Sequence, residues 1–126
     1  MNNTHTKITR FEDMTVWQEA QEFAVAVYKV TKHFPEDERF GIISQLRRAS
    51  SSVSANIAEG FGRSSKKDTA HFYHIARGSL LESKNFIYLS ARLSYIDKGV
   101  LDKLITNADS INQQITAILR YFKIYA

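Results

Sequence analysis

The stretch VLDKLITNADSINQQITAILRYF, residues 100–122, decides how the rest of the chain is read. Its apolar residues Val100, Leu101, Leu104, Ile105, Ala108, Ile111, Ile115, Ile118, Leu119 and Phe122 recur every three or four positions, the period of one face of an α-helix. A half-buried strand would alternate every second residue, and this stretch does not. An amphipathic helix of this length must bury its stripe against other helices, so the question becomes how many partners the chain supplies.

Working towards the N-terminus, Asp97-Lys98-Gly99 reads as a turn. Before it, a third helix is expected from Lys66 to Tyr95, with Phe72, Ile75, Ala76, Ser79, Leu80, Ser83, Phe86, Ile87, Ser90 and Leu93 around its inward side. Ser65 and Asp68 have capping-box spacing, which starts that helix. Gly60-Phe61-Gly62-Arg63-Ser64 reads as a loop, with Gly60 terminating a second helix that spans Asp37 to Glu59. Ile42, Leu46, Ala49, Val53 and Ile57 form its apolar stripe. The serines between Ala49 and Ala55 are poor helix formers, but their small side chains let another helix approach closely. A first helix is expected to begin at Thr15, which has capping-box spacing to Gln18. It carries Trp17, Ala20, Phe23, Ala24, Val27, Val30 and Phe34 inward until Pro35 stops it.

Four amphipathic helices with short connections predict an all-α fold, an antiparallel up-down-up-down four-helix bundle. Residues 1–10 read as a flexible N-terminal segment and residues 11–126 as a single bundle domain, a size that 126 residues allow. One proline and five glycines suit long helices, and 44% hydrophobic with 24% charged residues is ordinary for a soluble domain. The absence of cysteine excludes disulfides, thiolate metal sites and cysteine nucleophiles, and fits a reducing compartment. Residues 1–10 lack the apolar centre of an export signal, and no apolar run approaches the roughly 20 residues of a membrane span. A cytoplasmic protein with no membrane partner is the expectation.

Catalytic and cofactor patterns find no support. A di-iron bundle needs acid-x-x-His elements on two helices, and Asp68-x-x-His71 is the one near match. His71 and His74, three apart, read as one boundary and one exposed histidine rather than as metal ligands. No Gly-x-Ser-x-Gly turn and no phosphate-binding glycine loop is present. Glu59 is a conceivable lone general acid or base, but with Asn56 it better anchors the end of the second helix. Neither a catalytic residue, a metal nor a cofactor is therefore expected.

Charge is more informative. The chain carries a net +4, with a pI near 9.4. Residues 66–92 hold five basic against two acidic side chains, a net +3. On a helical projection Lys66, Arg77, Lys84, Tyr88 and Arg92 share one outward sector bordered by Lys67 and His74. Arg63 extends it into the loop, and Arg47 and Arg48 lie on the second helix. Three roles fit this row: neutralising phosphates while Tyr88 stacks on an unpaired base, an ordinary solvated face, or contacts between subunits or to a protein partner.

Gln45-Leu46-Arg47-Arg48-Ala49, then Asn56-Ile57-Ala58-Glu59-Gly60 and Gly62-Arg63, resemble the four-helix-bundle proteins encoded in intervening sequences of bacterial 23S rRNA genes. The opening from Phe11 to Ala20 and the run Ala76-Arg77-Gly78-Ser79-Leu80-Leu81-Glu82-Ser83 extend the similarity over nearly the whole chain, with Met14 where leucine is usual. The resemblance implies an antiparallel bundle assembled into a ring-like homopentamer, without established enzymatic activity. The family's ribosomal-protein label reflects where its genes lie. A related branch, the accessory proteins of diversity-generating retroelements, consists of basic pentamers that bind nucleic acid and a reverse transcriptase. RNA is accordingly the expected partner, through Arg47, Arg48, Arg63, Lys66, Lys67, Arg77, Lys84, Tyr88 and Arg92, with Asn56, Glu59 and Gly60 as a structural motif. The alternative is a structural module whose arginines hold subunits or a protein partner.

Overall fold

Burial follows the helical period. The computed structural model of the protein describes residues 7–125; the first six residues of the expected N-terminal segment lie outside them. Among the described residues there are four long helices and no strand: α1 (Thr15–Thr31), α2 (Ile42–Phe61), α3 (Lys66–Arg92) and α4 (Lys98–Tyr125). Short 3-10 turns at Phe11–Asp13 and Glu36–Glu38 precede α1 and α2.

Phe23 and Val27 of α1, Leu46, Val53 and Ile57 of α2, Leu80 and Ile87 of α3, and Ile111 and Ile115 of α4 meet in one buried cluster. Each such side chain contributes roughly 2 kcal/mol, whereas the four serines between Ala49 and Ala55 together cost about 2 kcal/mol in helix propensity. Burial therefore decides that α2 is a helix. Ser50 and Ser54 are themselves buried, and Gln21 Nε2 donates to Ser54 Oγ at 2.9 Å, joining α1 to α2. α2 and α3 pack most extensively, and α1 also meets α4.

The helix ends differ from the sequence expectation. Thr15 is the first helical residue of α1, and Met14, in extended conformation, occupies the cap without a side-chain bond. Gln18 Nε2 instead donates to the carbonyl of Glu12 at 2.9 Å. α1 stops at Thr31, ahead of Pro35, and Phe34 is buried in the connection with its ring 5.2 Å from that of Tyr95. α2 begins at Ile42 rather than Asp37, because Glu36–Glu38 turn separately and Glu38 Oε1 accepts the Ile42 N–H.

Gly60 and Phe61 belong to α2, not to a loop, and Gly62 occupies the cap. Gly60 is buried, and a Cβ there would lie 3.0 Å from Phe72 Cβ and 3.3 Å from the Thr69 carbonyl oxygen. Its task is the close approach of α3, secured by Thr69 Oγ1 donating to the Gly60 carbonyl at 3.0 Å. Ser65 Oγ does accept the Asp68 N–H at 3.1 Å, starting α3.

α3 ends at Arg92 rather than Tyr95; Ser94 turns the chain at φ 63°, and Tyr95 donates its hydroxyl to Glu38 Oε2 at 2.7 Å. Asp97 Oδ1 accepts the Val100 N–H, so Lys98 and Gly99 are already helical instead of forming a turn. Two expected inward residues, Ile75 and Leu93, are 39% and 45% exposed, while Tyr73, which the period did not select, is buried. No helix is long and apolar enough to cross a membrane among the described residues.

Candidate nucleic-acid interface

The N-terminal half of α3 and the C-terminal part of α4 flank a groove of about 790 Å³. From α3 it takes Lys66, Lys67, Ala70, His71, His74 and Arg77; from α4, Thr116, Leu119, Arg120, Phe122 and Lys123. Three- and four-residue spacings on both helices aim these side chains at a common seam. Five Lys and Arg side chains and two histidines line it, with no carboxylate among the described lining residues. Ala70, Leu119 and Phe122 supply an apolar floor, which Phe122 ties to the core with its ring 6.1 Å from that of Tyr73. Lys66 Nζ sits 5.7 Å from the centre of the Tyr121 ring, and Tyr121 packs edge-on against Phe122.

Burial pushes the Tyr73 hydroxyl up to about 12; its polar contact is the Met14 thioether at 3.8 Å. This group seats the groove's floor and is not accessible to a ligand.

The remaining basic residues expected at the site are placed elsewhere. The row from Lys66 to Arg92 is not a uniform outward face. Lys66 and Arg77 line the groove against α4, while Lys84 Nζ donates to Asp109 Oδ1 at 2.6 Å. Tyr88 and Arg92 are exposed, but Tyr88 lies about 16 Å beyond Arg77 along the helix axis. Arg47 donates to Thr31 Oγ1 and to the Tyr28 carbonyl, with its guanidinium 4.8 Å from the Tyr28 ring centre. Arg48 pairs with Glu82 at 2.7 Å, and Arg63 pairs with Glu59 at 3.1 Å while covering the Phe72 ring.

Asn56 donates to the Ser52 carbonyl within α2. Glu59 meets Arg63 across the helix end, and Gly60 makes the helix contact described above. His71 and His74 are both exposed, rather than one at a boundary, and both line the groove. No group of three or more potential metal-binding side chains occurs among the described residues.

Sequence reading missed Arg120 and Lys123. Their three-residue spacing beside Leu119 and Phe122 was visible, but only the packing of α4 on α3 brings them to Lys67 and Arg77.

Helices packed around one core with a groove lined by cations along one seam define the class: an all-helical, four-helix protein. The chain belongs to the 23S rRNA-intervening sequence protein family, whose model matches residues 12–117. It is similar to a crystal structure of a protein with unknown function from the S23 ribosomal protein family of Bacteroides thetaiotaomicron. That similarity has a TM-score of 0.76 at 26% identity, over 83% of this chain and 98% of the other. No curated protein matches the chain.

Proposed function

We propose that the protein is a non-enzymatic, nucleic-acid-binding member of its family that holds RNA along the α3–α4 groove. The observation that carries this reading is the groove's lining, five Lys and Arg side chains with no carboxylate among the described lining residues. Arg48, Arg63 and Lys84, outside the groove, pair with Glu82, Glu59 and Asp109. Phosphates entering the groove release condensed counterions, a gain that weakens steeply as salt rises. Titration of a structured RNA by fluorescence anisotropy at several salt concentrations tests this. Combined Arg77→Gln, Arg120→Gln and Lys123→Gln replacement should weaken binding at least tenfold and flatten the salt dependence. Unchanged affinity in that variant overturns the reading.

The helices are proposed to run up-down-up-down and antiparallel. Contacts between successive helices support this order. Gln21 meets Ser54 while Thr31 meets Arg47; Gly60 meets Thr69 while Arg48 meets Glu82; Tyr73 meets Phe122 while Lys84 meets Asp109. In each pair one partner advances along the chain as the other retreats.

Assembly into a ring-like homopentamer in a bacterial cytoplasm is proposed with the family resemblance as its support. Exposed Ile75, Leu81, Leu89 and Leu93 on and just beyond α3 favour a surface that another subunit covers. They also favour the second reading, in which α3 and the Arg48–Glu82 pair serve subunit or protein-partner contacts. Native mass spectrometry should give five times the chain mass; a monomer at micromolar concentration overturns the pentamer.

A further inference from the structure

The floor of the groove asks for more than phosphate. A duplex presents phosphates and sugars on its outside and keeps its bases stacked within, so its backbone gains little from Leu119 and Phe122. An unpaired nucleotide offers an apolar, aromatic face together with its charge, and sequence-tolerant single-strand sites combine these two features. The groove combines them too: it is lined by Lys67, Arg77 and Lys123, by the partly buried Leu119 and Phe122, and by the exposed His71. Its volume of about 790 Å³ falls in the roughly 300–1,000 Å³ range of sites that enclose small ligands. That scale suits one or a few nucleotides rather than the side of a double helix.

We propose that the groove is a single-strand site, in which unpaired bases lie on the Leu119–Phe122 floor and their phosphates meet Lys67, Arg77 and Lys123. This rests on the nucleic-acid reading of the same groove and adds the form of the ligand. The base supplies apolar contact and stacking, and the cations supply the salt-sensitive part of the affinity.

The test uses the full chain and three labelled probes of equal length: an unstructured RNA oligonucleotide, a perfectly paired RNA duplex, and an oligonucleotide with abasic sites at its central positions. Fluorescence anisotropy at one fixed salt concentration should show the unstructured strand binding at least tenfold more tightly than either of the others. His71→Ala, at an exposed position, should narrow that advantage without changing thermal unfolding. Equal or tighter binding of the duplex or of the abasic strand overturns the single-strand proposal and leaves phosphate binding standing. Failure of all three probes to bind overturns both.

Discussion

Lys84 Nζ donates to Asp109 Oδ1 at 2.6 Å across the seam between α3 and α4. Lys84 is 22% exposed and Asp109 50%, so the pair is partly solvated and its worth is modest, about 0.5–1 kcal/mol. Lys84→Met keeps most of the aliphatic stem and removes the charge. Urea unfolding should show a loss of that size, while RNA affinity stays within about twofold of the parent protein. A fall in affinity as large as that of Arg77→Gln would return Lys84 to the binding surface.

The α4 side of the groove makes a separate quantitative prediction. For single strands the slope of log K against log salt changes by about 0.7 for each phosphate that the protein ceases to neutralise. Arg120→Gln and Lys123→Gln together should therefore shallow the slope by about 1.4 if each neutralises one phosphate. Measuring affinity over a salt series checks this; an unaltered slope would place the phosphates away from α4.

Two helical glycines should respond in opposite directions to alanine. At Gly78 an added Cβ meets nothing within 4 Å, so Gly78→Ala should stabilise by about 0.5–1 kcal/mol through helix propensity. At Gly60 the same atom would press on Phe72 Cβ and the Thr69 carbonyl. Overpacking costs about 1–3 kcal/mol and outweighs the propensity gain, so Gly60→Ala should lower the melting temperature. Parallel thermal unfolding decides it, and a rise in both variants would mean that Phe72 yields freely.

Tyr73 should impose an alkaline limit on stability. Its hydroxyl is pushed up to about 12 by burial, against about 10 in the unfolded chain. The unfolded state thus releases the proton first as pH rises. Stability attached to this group is intact below pH 10 and declines between about 10 and 12, by roughly 3 kcal/mol in total. Tyr73→Phe should unfold much like the parent at pH 7, since the hydroxyl's hydrogen-bond partner among the described residues is a thioether, and should lose part of the alkaline decline. Identical pH profiles for the two proteins would refute the assignment.

The apolar stripes were readable because they are local: Leu46, Val53 and Ile57 repeat at helical spacing and are buried together. Helix ends were less legible where distant residues set them. The Glu38 carboxylate engages Ile42 at the start of α2 and Tyr95 beyond the end of α3, two places more than fifty residues apart. Gly60 has the composition of a terminator but serves a helix contact, because its missing side chain is needed by Phe72 rather than by the local backbone. Tyr73 escaped the inward set although its ring meets Phe122.

The candidate site divides along the same line. Lys66, Lys67 and Arg77 could be placed on one helix from their order alone. That Arg120 and Lys123 join them, and that Asp109 holds Lys84, was not available from that helix. The sequence by itself determined the four amphipathic helices and the concentration of positive charge on α3, since periodicity and composition are properties of neighbouring residues. Only the tertiary structure decided which cations share the groove between α3 and α4 and which pair with Glu59, Glu82 or Asp109. Coulomb attraction and repulsion depend on separation through space, and helix packing sets that separation independently of distance along the chain.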